Sequence, residues 1–339
     1  MKAAVVRELP SATLEVTEVA EPALEAADEL LIAVESCGIC GTDLHILEGD
    51  SYRPEFPFVL GHEPVGTVVA AGAAATEWIG RRVTITLFTG CGACALCRSG
   101  DERLCPDLVS ITGVLDVWGG FAERLLVRAA QAVDVPGALS SAQAAILVDA
   151  GATAVNAARV ALEHGGERFL VIGGGPVGFL VAEQLRAVGR RVLVVEPQPR
   201  RRDALARLGH ETCAALADTS EGPDIVLDCA GVPEALPWAL ERLAPRGLFV
   251  AVGYGRVPAL DTAPVARREL TVRGVRSGSR ADLVEALELA TSGEMRLPAV
   301  STWGVDDIND AFDALRRGEV DGKAVIDLSH RKEKEPSTS

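Results

Sequence analysis

The feature that most limits the fold is a glycine triplet, Gly173-x-Gly175-x-x-Gly178, lying between an apolar run at 169–172 and a helical pattern at 179–188. In such a strand–turn–helix the first glycine makes the tight turn and the second lets an anionic group approach the backbone. The third lets the helix pack closely on the strand, and the helix N-terminus faces the anion. A further strand pattern, 191–195, ends at Glu196, eighteen residues past Gly178. In this βαβ setting the motif reads as a dinucleotide site, with the Glu196 carboxylate accepting hydrogen bonds from ribose hydroxyls. Arg200, Arg201 and Arg202 follow and could grip a phosphate. Glu196 holds the ribose position itself, and at least two of the three arginines should face solvent, so NAD is expected over NADP.

The alternation continues through helix 201–208, strand 225–227, helix 233–243 and strands 248–252 and 270–274. Strands alternating with helices call for a parallel sheet covered on both faces. Before residue 140 the pattern is different. Short β-branched or alternating runs at 1–6, 29–34, 64–70 and 82–87 are bounded by Gly, Pro, Asp or Glu, which predicts a β-rich region with long loops. Ser140 is placed to cap an Ala-rich helix through Ile146 and Leu147, and a second helical run covers 154–161. Helix 282–291 and a strand at 324–326 close the pattern, and the polar tail from Ser329 is expected to be disordered.

The 339 residues suggest about two domains. With 33 Lys and Arg against 48 Asp and Glu the net charge is −15. A surface that acidic disfavours nucleic acid and anionic lipid as partners. The uncharged stretch at 169–182 is too short and too glycine-rich to span a bilayer, and Arg7 and Glu8 interrupt any signal-like apolar core. A cytoplasmic protein is expected.

Four of the eight cysteines form Cys91-x2-Cys94-x2-Cys97-x7-Cys105. Four thiolates can close a tetrahedron round Zn²⁺, and a closed shell of this kind is structural. An iron–sulfur site also takes four cysteines. A second, dispersed set comprises Cys40-Gly41-Thr42-Asp43-Leu44-His45, Gly61-His62-Glu63 and Asp149. Thiolate, imidazole and carboxylate suit a zinc with one open position, but spacing alone does not bring these residues together. Cys37 makes a CxxC with Cys40, for which a packed thiol is the default reading, and His164 and His210 are expected at the surface. No Gly-x-Ser-x-Gly elbow or Walker sequence appears.

Taken in order, CGICGTDLHI (37–46), GHEPVG (61–66), CGACALCRSGDERLC (91–105) and GGGPVG (173–178) resemble the zinc-dependent medium-chain alcohol and polyol dehydrogenases over about residues 1 to 327. The resemblance implies a GroES-like catalytic domain at 1–152, completed by 277–328, and a Rossmann coenzyme domain at 153–276, with the active site in the cleft between them. It implies two zinc ions per chain, the catalytic one held by Cys40, His62 and Asp149, with Glu63 behind it and coordinating transiently. Thr42 would take the substrate proton, His45 would relay it to solvent, and Asp43 would orient His62. Pro176 and Val177 of the glycine loop, Arg201, Gly231, Val252 and Gly253 would border the NAD cofactor. Homodimers or homotetramers acting on a small alcohol or carbonyl compound are the family's habit. Leu87, Phe88 and Trp118 are expected as pocket walls or as core. The rival readings are a zinc-independent enone or quinone reductase of the same superfold and a non-catalytic NAD-binding structural or regulatory protein.

Overall fold

The computed structural model describes residues 1–219, 222–257 and 260–329. They divide into two compact units, Met1–Val148 with the chain from Val300 onward, and Asp149–Ala299. The expected tail beyond Ser329 lies outside the described residues.

The first unit is built on one long strand. Glu29–Gly38 carries a nearly unbroken apolar run and pairs antiparallel with three neighbours, Glu63–Ala71, Arg124–Arg128 and Lys323–Asp327. Around it the sheet runs in the order Ala132–Asp134, Arg82–Ile85, Glu63–Ala71, Glu29–Gly38, Lys323–Asp327, Val300–Gly304. Irregularities at Leu31/Ile32 and Val34/Ser36 shift the register against Glu63–Ala71, so that Gly38 comes to lie opposite Glu63. A Cβ on Gly38 would stand 1.9 Å from Glu63 Oε2, which is why no side chain fits there. Smaller sheets join Glu15–Glu18, Lys2–Val6 and Phe58–Val59, and Phe88–Thr89 with Ser110–Ile111.

The second unit holds a six-stranded parallel sheet in the order Glu211–Cys213, Arg191–Val195, Arg168–Ile172, Ile225–Asp228, Leu248–Ala251, Thr271–Gly274. Numbered along the chain this is 3-2-1-4-5-6, the doubly wound order that reverses beside the first strand. In its core Leu170, Ile172, Val195, Val226 and Phe249 cluster with Ala239 and Leu240 of the helix Ala235–Arg242 and with Leu243, which caps it.

Ser140 caps Ser141–Ile146 as expected, accepting from Gln143 N while the Gln143 side chain accepts from Ser140 N. A π-turn at Leu147–Gly151 then leads into Ala152–His164. By length and hydropathy the combined helix could cross a membrane, but 83% of the apolar window is buried inside the protein, which marks a core helix.

The sequence boundary at 276/277 differs from the compact units, which divide at 299/300. The physical reason is packing. Arg280–Ser292 lies along Ala152–His164, with Arg159 paired to the buried Asp282. The segment after it carries Arg296 onto Glu183. His210, expected at the surface, is likewise drawn in: it is buried with its Nε2 on Glu183. His164 does lie at the surface, on the carbonyl of Arg246.

Glu183 is thus a buried acid gripped by His210, by Arg296 at 2.6 and 2.7 Å, and by Arg186 at 3.4 Å. Burial alone would raise its pKa, but the hydrogen bonds from His210, Arg296 and Arg186 outweigh it and hold the carboxyl at about 2. The folded value lies below the ordinary 4.5. The stabilisation is therefore complete above about 4.5 and is lost as the pH falls towards 2. Glu183→Gln should lower stability at pH 7 by roughly 3 kcal/mol and flatten the loss between pH 4.5 and 2. Urea denaturation of both proteins across that range measures it, and parallel curves would contradict the assignment.

Candidate metal and cofactor sites

The cysteine quartet comes together. Cys91, Cys94, Cys97 and Cys105 place their sulfurs within 4.8 Å of one another, with separations of 3.5 Å (Cys94–Cys97), 3.9 Å (Cys94–Cys105) and 4.0 Å (Cys91–Cys97). Tetrahedral Zn–S bonds of ~2.3 Å require sulfurs about 3.8 Å apart, so the set fits the ion without rearrangement. Backbone N–H groups line it: Cys91 N donates to Cys105, Cys94 N to Cys91 and Cys97 N to Cys94. The amides of Ala93 and Cys94 pull the Cys91 thiol down to about 7, while burial pushes Cys97 up to about 12. Four thiols this close cannot all ionise without a cation among them.

The dispersed set comes together as well, which spacing alone could not show. Cys40 Sγ, a ring nitrogen of His62, and carboxylate oxygens of Glu63 and Asp149 all lie within 4.8 Å of one another. They arrive on three pieces of structure. Cys40 is the N-cap of the helix Gly41–Leu47, its sulfur accepting from Thr42 N at 3.5 Å. Asp43 closes that cap, accepting from Cys40 N at 2.9 Å through Oδ2, and turns Oδ1 towards His62 Nδ1 at 3.4 Å. The imidazole is thereby oriented by a carboxylate, which leaves Nε2 as the nitrogen available to a metal. His62 and Glu63 stand at the start of Glu63–Ala71, both buried. Asp149 sits in the π-turn, an irregularity that recurs at functional sites because it re-aims a side chain out of the helical repeat. One thiolate, one imidazole and carboxylate oxygens are donors that zinc accepts in a site with an open position.

Sequence reasoning missed Lys323, which no local motif marks. Its Nζ lies 2.6 Å from Glu63 Oε1, and both side chains are buried. A lysine is rarely buried unless paired, and here it neutralises the acid behind the ligand set. Thr42 is half-buried and His45 exposed, one helical turn apart on one face, with Thr42 Oγ1 3.7 Å from Cys40 Sγ. His45 faces Glu48 at 3.8 Å. Cys37 is fully buried and burial pushes its thiol up, so it is a packed thiol beside Cys40 rather than a redox partner. Leu87 belongs to the buried core, while Phe88 and Trp118 are half-buried, the Trp118 indole N–H donating to Pro57 O.

In the second unit three loops meet at the ends of neighbouring strands. Gly173 turns at φ +92°, and a Cβ on Gly178 would strike Gly173 O at 1.9 Å. At Gly175, by contrast, the nearest atom to an added Cβ is Arg201 Nη1 at 4.0 Å, which leaves the backbone open to an anion beside Pro176 and Val177. Gly231 and Gly253 come from the loops after Ile225–Asp228 and Leu248–Ala251. Asp228 ties these loops together: Oδ1 accepts from Ala230 N and Gly231 N, and its carbonyl accepts from Val252 N and Gly253 N. Glu196 is buried, its oxygens accepting from Gly174 N at 2.7 Å and Gln198 N at 2.8 Å. Of the three arginines only Arg200 is exposed, against the expected two. Arg202 folds back onto the carbonyls of Glu196 and Pro197, because these strand-end oxygens need a donor, and Arg201 is half-buried by the glycine loop.

Comparison with known proteins agrees with this geometry. Residues 26–137 match the alcohol dehydrogenase GroES-like domain and residues 176–292 the zinc-binding dehydrogenase domain. The chain is 32% identical over 345 residues to an alcohol dehydrogenase of Geobacillus stearothermophilus, covering 97% of this chain and 99% of that one. Its fold is similar to that of acetophenone reductase from Geotrichum candidum NBRC 4597, solved in complex with NAD (TM-score 0.89, 27% identity, 97% of each chain). It is also similar to a protein of Sinorhizobium meliloti 1021 solved with NADP (TM-score 0.84, 27% identity, 96% of this chain and 98% of that one).

Native mass spectrometry should find two zinc ions per chain, and Cys94→Ser should retain one and lose much of its stability. A single ion in fully active wild-type protein would refute the two-site assignment. Replacing Lys323 by Met leaves Glu63 buried without its counter-charge. That should cost about 3–5 kcal/mol in denaturant unfolding, whereas a loss under 1 kcal/mol would mean that the pair contributes little.

Proposed function

This chain belongs to the zinc-dependent medium-chain dehydrogenase family, and on that premise we propose that it transfers hydride between NAD(H) and an alcohol–carbonyl pair. The observation that carries the reading is the convergence of Cys40, His62, Glu63 and Asp149 within 4.8 Å, with the Thr42 hydroxyl beside the Cys40 sulfur. When bound there by Cys40, His62 and Asp149, zinc would supply Lewis-acid chemistry, the same that takes the pKa of water from ~15.7 to ~7 and would make a substrate hydroxyl far more acidic.

The chain's own residues then have defined tasks. Thr42 Oγ1 accepts the proton leaving the substrate hydroxyl and passes its own towards His45, whose exposed ring exchanges protons with solvent. In the reductive direction the same path runs backwards. Glu63, held by Lys323, keeps a carboxylate behind the donor set and is suited to transient coordination. The closed cysteine quartet serves stability, since structural zinc contributes folding free energy directly. Two donor sets of this kind argue against a zinc-independent reductase, and a proton path beside a ligand set argues against a non-catalytic protein.

NAD is the favoured cofactor on this chain's own residues, as both cofactors occur among its structural neighbours. An ionised carboxylate offers about four lone-pair sites, and Gly174 N and Gln198 N engage two of those on Glu196. The remainder suit the ribose hydroxyls, and a 2′-phosphate would meet a like charge. A homo-oligomer is supported by the outer strand Thr271–Gly274, whose four residues are all exposed and which among the described residues pairs on one side only. None of the eight cysteines is in a disulfide, which suits a reducing, cytoplasmic setting.

Reduction of NAD⁺ by a panel of primary, secondary, aromatic and polyhydroxy alcohols tests the reading, and no turnover with any zinc-loaded combination would refute it. His62→Ala should abolish turnover yet leave the dissociation constant for NAD⁺ nearly unchanged, since His62 and the cofactor loops belong to separate units. Thr42→Val should slow turnover by ~10²–10⁴. Glu196→Ala should erode the preference for NAD over NADP, and a wild-type kcat/KM higher with NADP than with NAD would overturn that assignment.

A further inference from the structure

Asp149 does not stand alone in its π-turn. Its Oδ1 accepts from the Ser277 hydroxyl at 2.9 Å and from the Thr153 hydroxyl at 3.3 Å. Thr153 lies one helical turn along the same helix, an ordinary neighbour. Ser277 lies 128 residues downstream, and its backbone is in the left-handed region at φ +48°, a conformation that a residue with a Cβ adopts only when its surroundings impose it.

Two contacts impose it. The buried Asn156 donates from Nδ2 to Ser277 O at 2.8 Å. The next residue, Gly278, runs so close to the helix start that a Cβ there would stand 2.5 Å from Ala152 O. Asn156 and Ala152 belong to the helix that continues directly from the π-turn of Asp149, so one continuous segment both carries the carboxylate and fixes the loop that donates to it. The strained backbone is local to the residue whose hydroxyl points at Asp149.

We propose that Ser277 is a positioning residue of the metal centre, its hydroxyl fixing the Asp149 carboxylate in the orientation in which it binds zinc. This rests on the reading of Asp149 as a ligand. The two hydroxyl donors on Oδ1 hold the carboxylate against rotation about the Cβ–Cγ bond. A ligating carboxylate free to rotate binds more weakly, and partners that orient ligands typically matter by ~10–100-fold in metal affinity.

The test uses the zinc-loaded chain and a chromogenic chelator, which resolves the open-set ion from the cysteine-bound ion by rate. Ser277→Ala removes the hydroxyl and keeps the backbone preference, whereas Ser277→Gly removes it and relaxes the left-handed turn. Both should weaken the open-set zinc by ~10–100-fold and leave the quartet ion untouched. Ser277→Thr, which keeps a hydroxyl, should recover much of the affinity. With Co²⁺ in the open set, the visible bands of both hydroxyl-less variants should shift. A role confined to the backbone would instead raise the melting temperature of Ser277→Gly over Ser277→Ala without moving zinc release or the cobalt spectrum, and that outcome overturns the proposal. Asp149→Ala separates the two levels. If it retains both zinc ions, the ligand reading falls and the proposal with it. If it loses the open-set ion while Ser277→Ala and Ser277→Gly keep theirs at wild-type affinity, only the proposal falls.

Discussion

Glu63 of the first unit is a carboxylate with no exposed surface, and burying such a charge is costly unless it is paired. Its partner Lys323 comes from 260 residues downstream, on the strand that pairs with the end of Glu29–Gly38. Much of the surrounding architecture follows from placing these two side chains together. Gly38 carries no side chain because Glu63 fills the space, and the register shifts along Glu29–Gly38 bring Gly38 and Glu63 opposite one another. The returning strand brings the lysine within 2.6 Å. A buried ion pair is weak evidence for stability in itself. Its effect here is to set charge and register beside Cys40 and His62.

In the second unit the buried Glu183 is likewise ion-paired, whereas Glu196 and Asp228 accept from backbone N–H groups of the loops that follow the strands. The half-buried Asp224 accepts from Glu167 N and Arg168 N, where the strand Arg168–Ile172 begins. Loop amides that would otherwise be unpaired are satisfied by strand-end carboxylates, so the loops meeting at Gly173, Gly231 and Gly253 are held in place by the sheet itself. Asp228 has its pKa raised by burial and Asp224 has it lowered, to about 2, by Arg168. The same residue type answers to its surroundings rather than to its position in the motif.

Elements with a strong local signal were legible in the sequence. Strand Arg191–Val195 begins and ends where the apolar run does, and Ser140 caps its helix through a side-chain pattern readable over four residues. The glycine loop and the cysteine quartet carry their geometry in their spacing. The elements that went unread are those whose stability is tertiary. Helix Gly41–Leu47 is seven residues long and is started by a cysteine cap, and strand Glu211–Cys213 is three residues on a sheet edge. The π-turn has no sequence signature, and Lys323 looked like any surface lysine. His210 was expected at the surface and is buried because its ring meets the buried Glu183, 27 residues away, a contact that no local pattern encodes.

The order in which the ribosome delivers this chain gives the split first unit a particular vulnerability. The second unit is one continuous stretch, 149–299, complete as soon as it has emerged, whereas the first needs its final strands from beyond residue 300. At ~5–20 residues per second, 260 residues separate the emergence of Glu63 from that of Lys323 by roughly 13 to 50 s. Through that interval Glu63 waits for the lysine that pairs with it in the finished fold, and Glu29–Gly38 for the strand Lys323–Asp327.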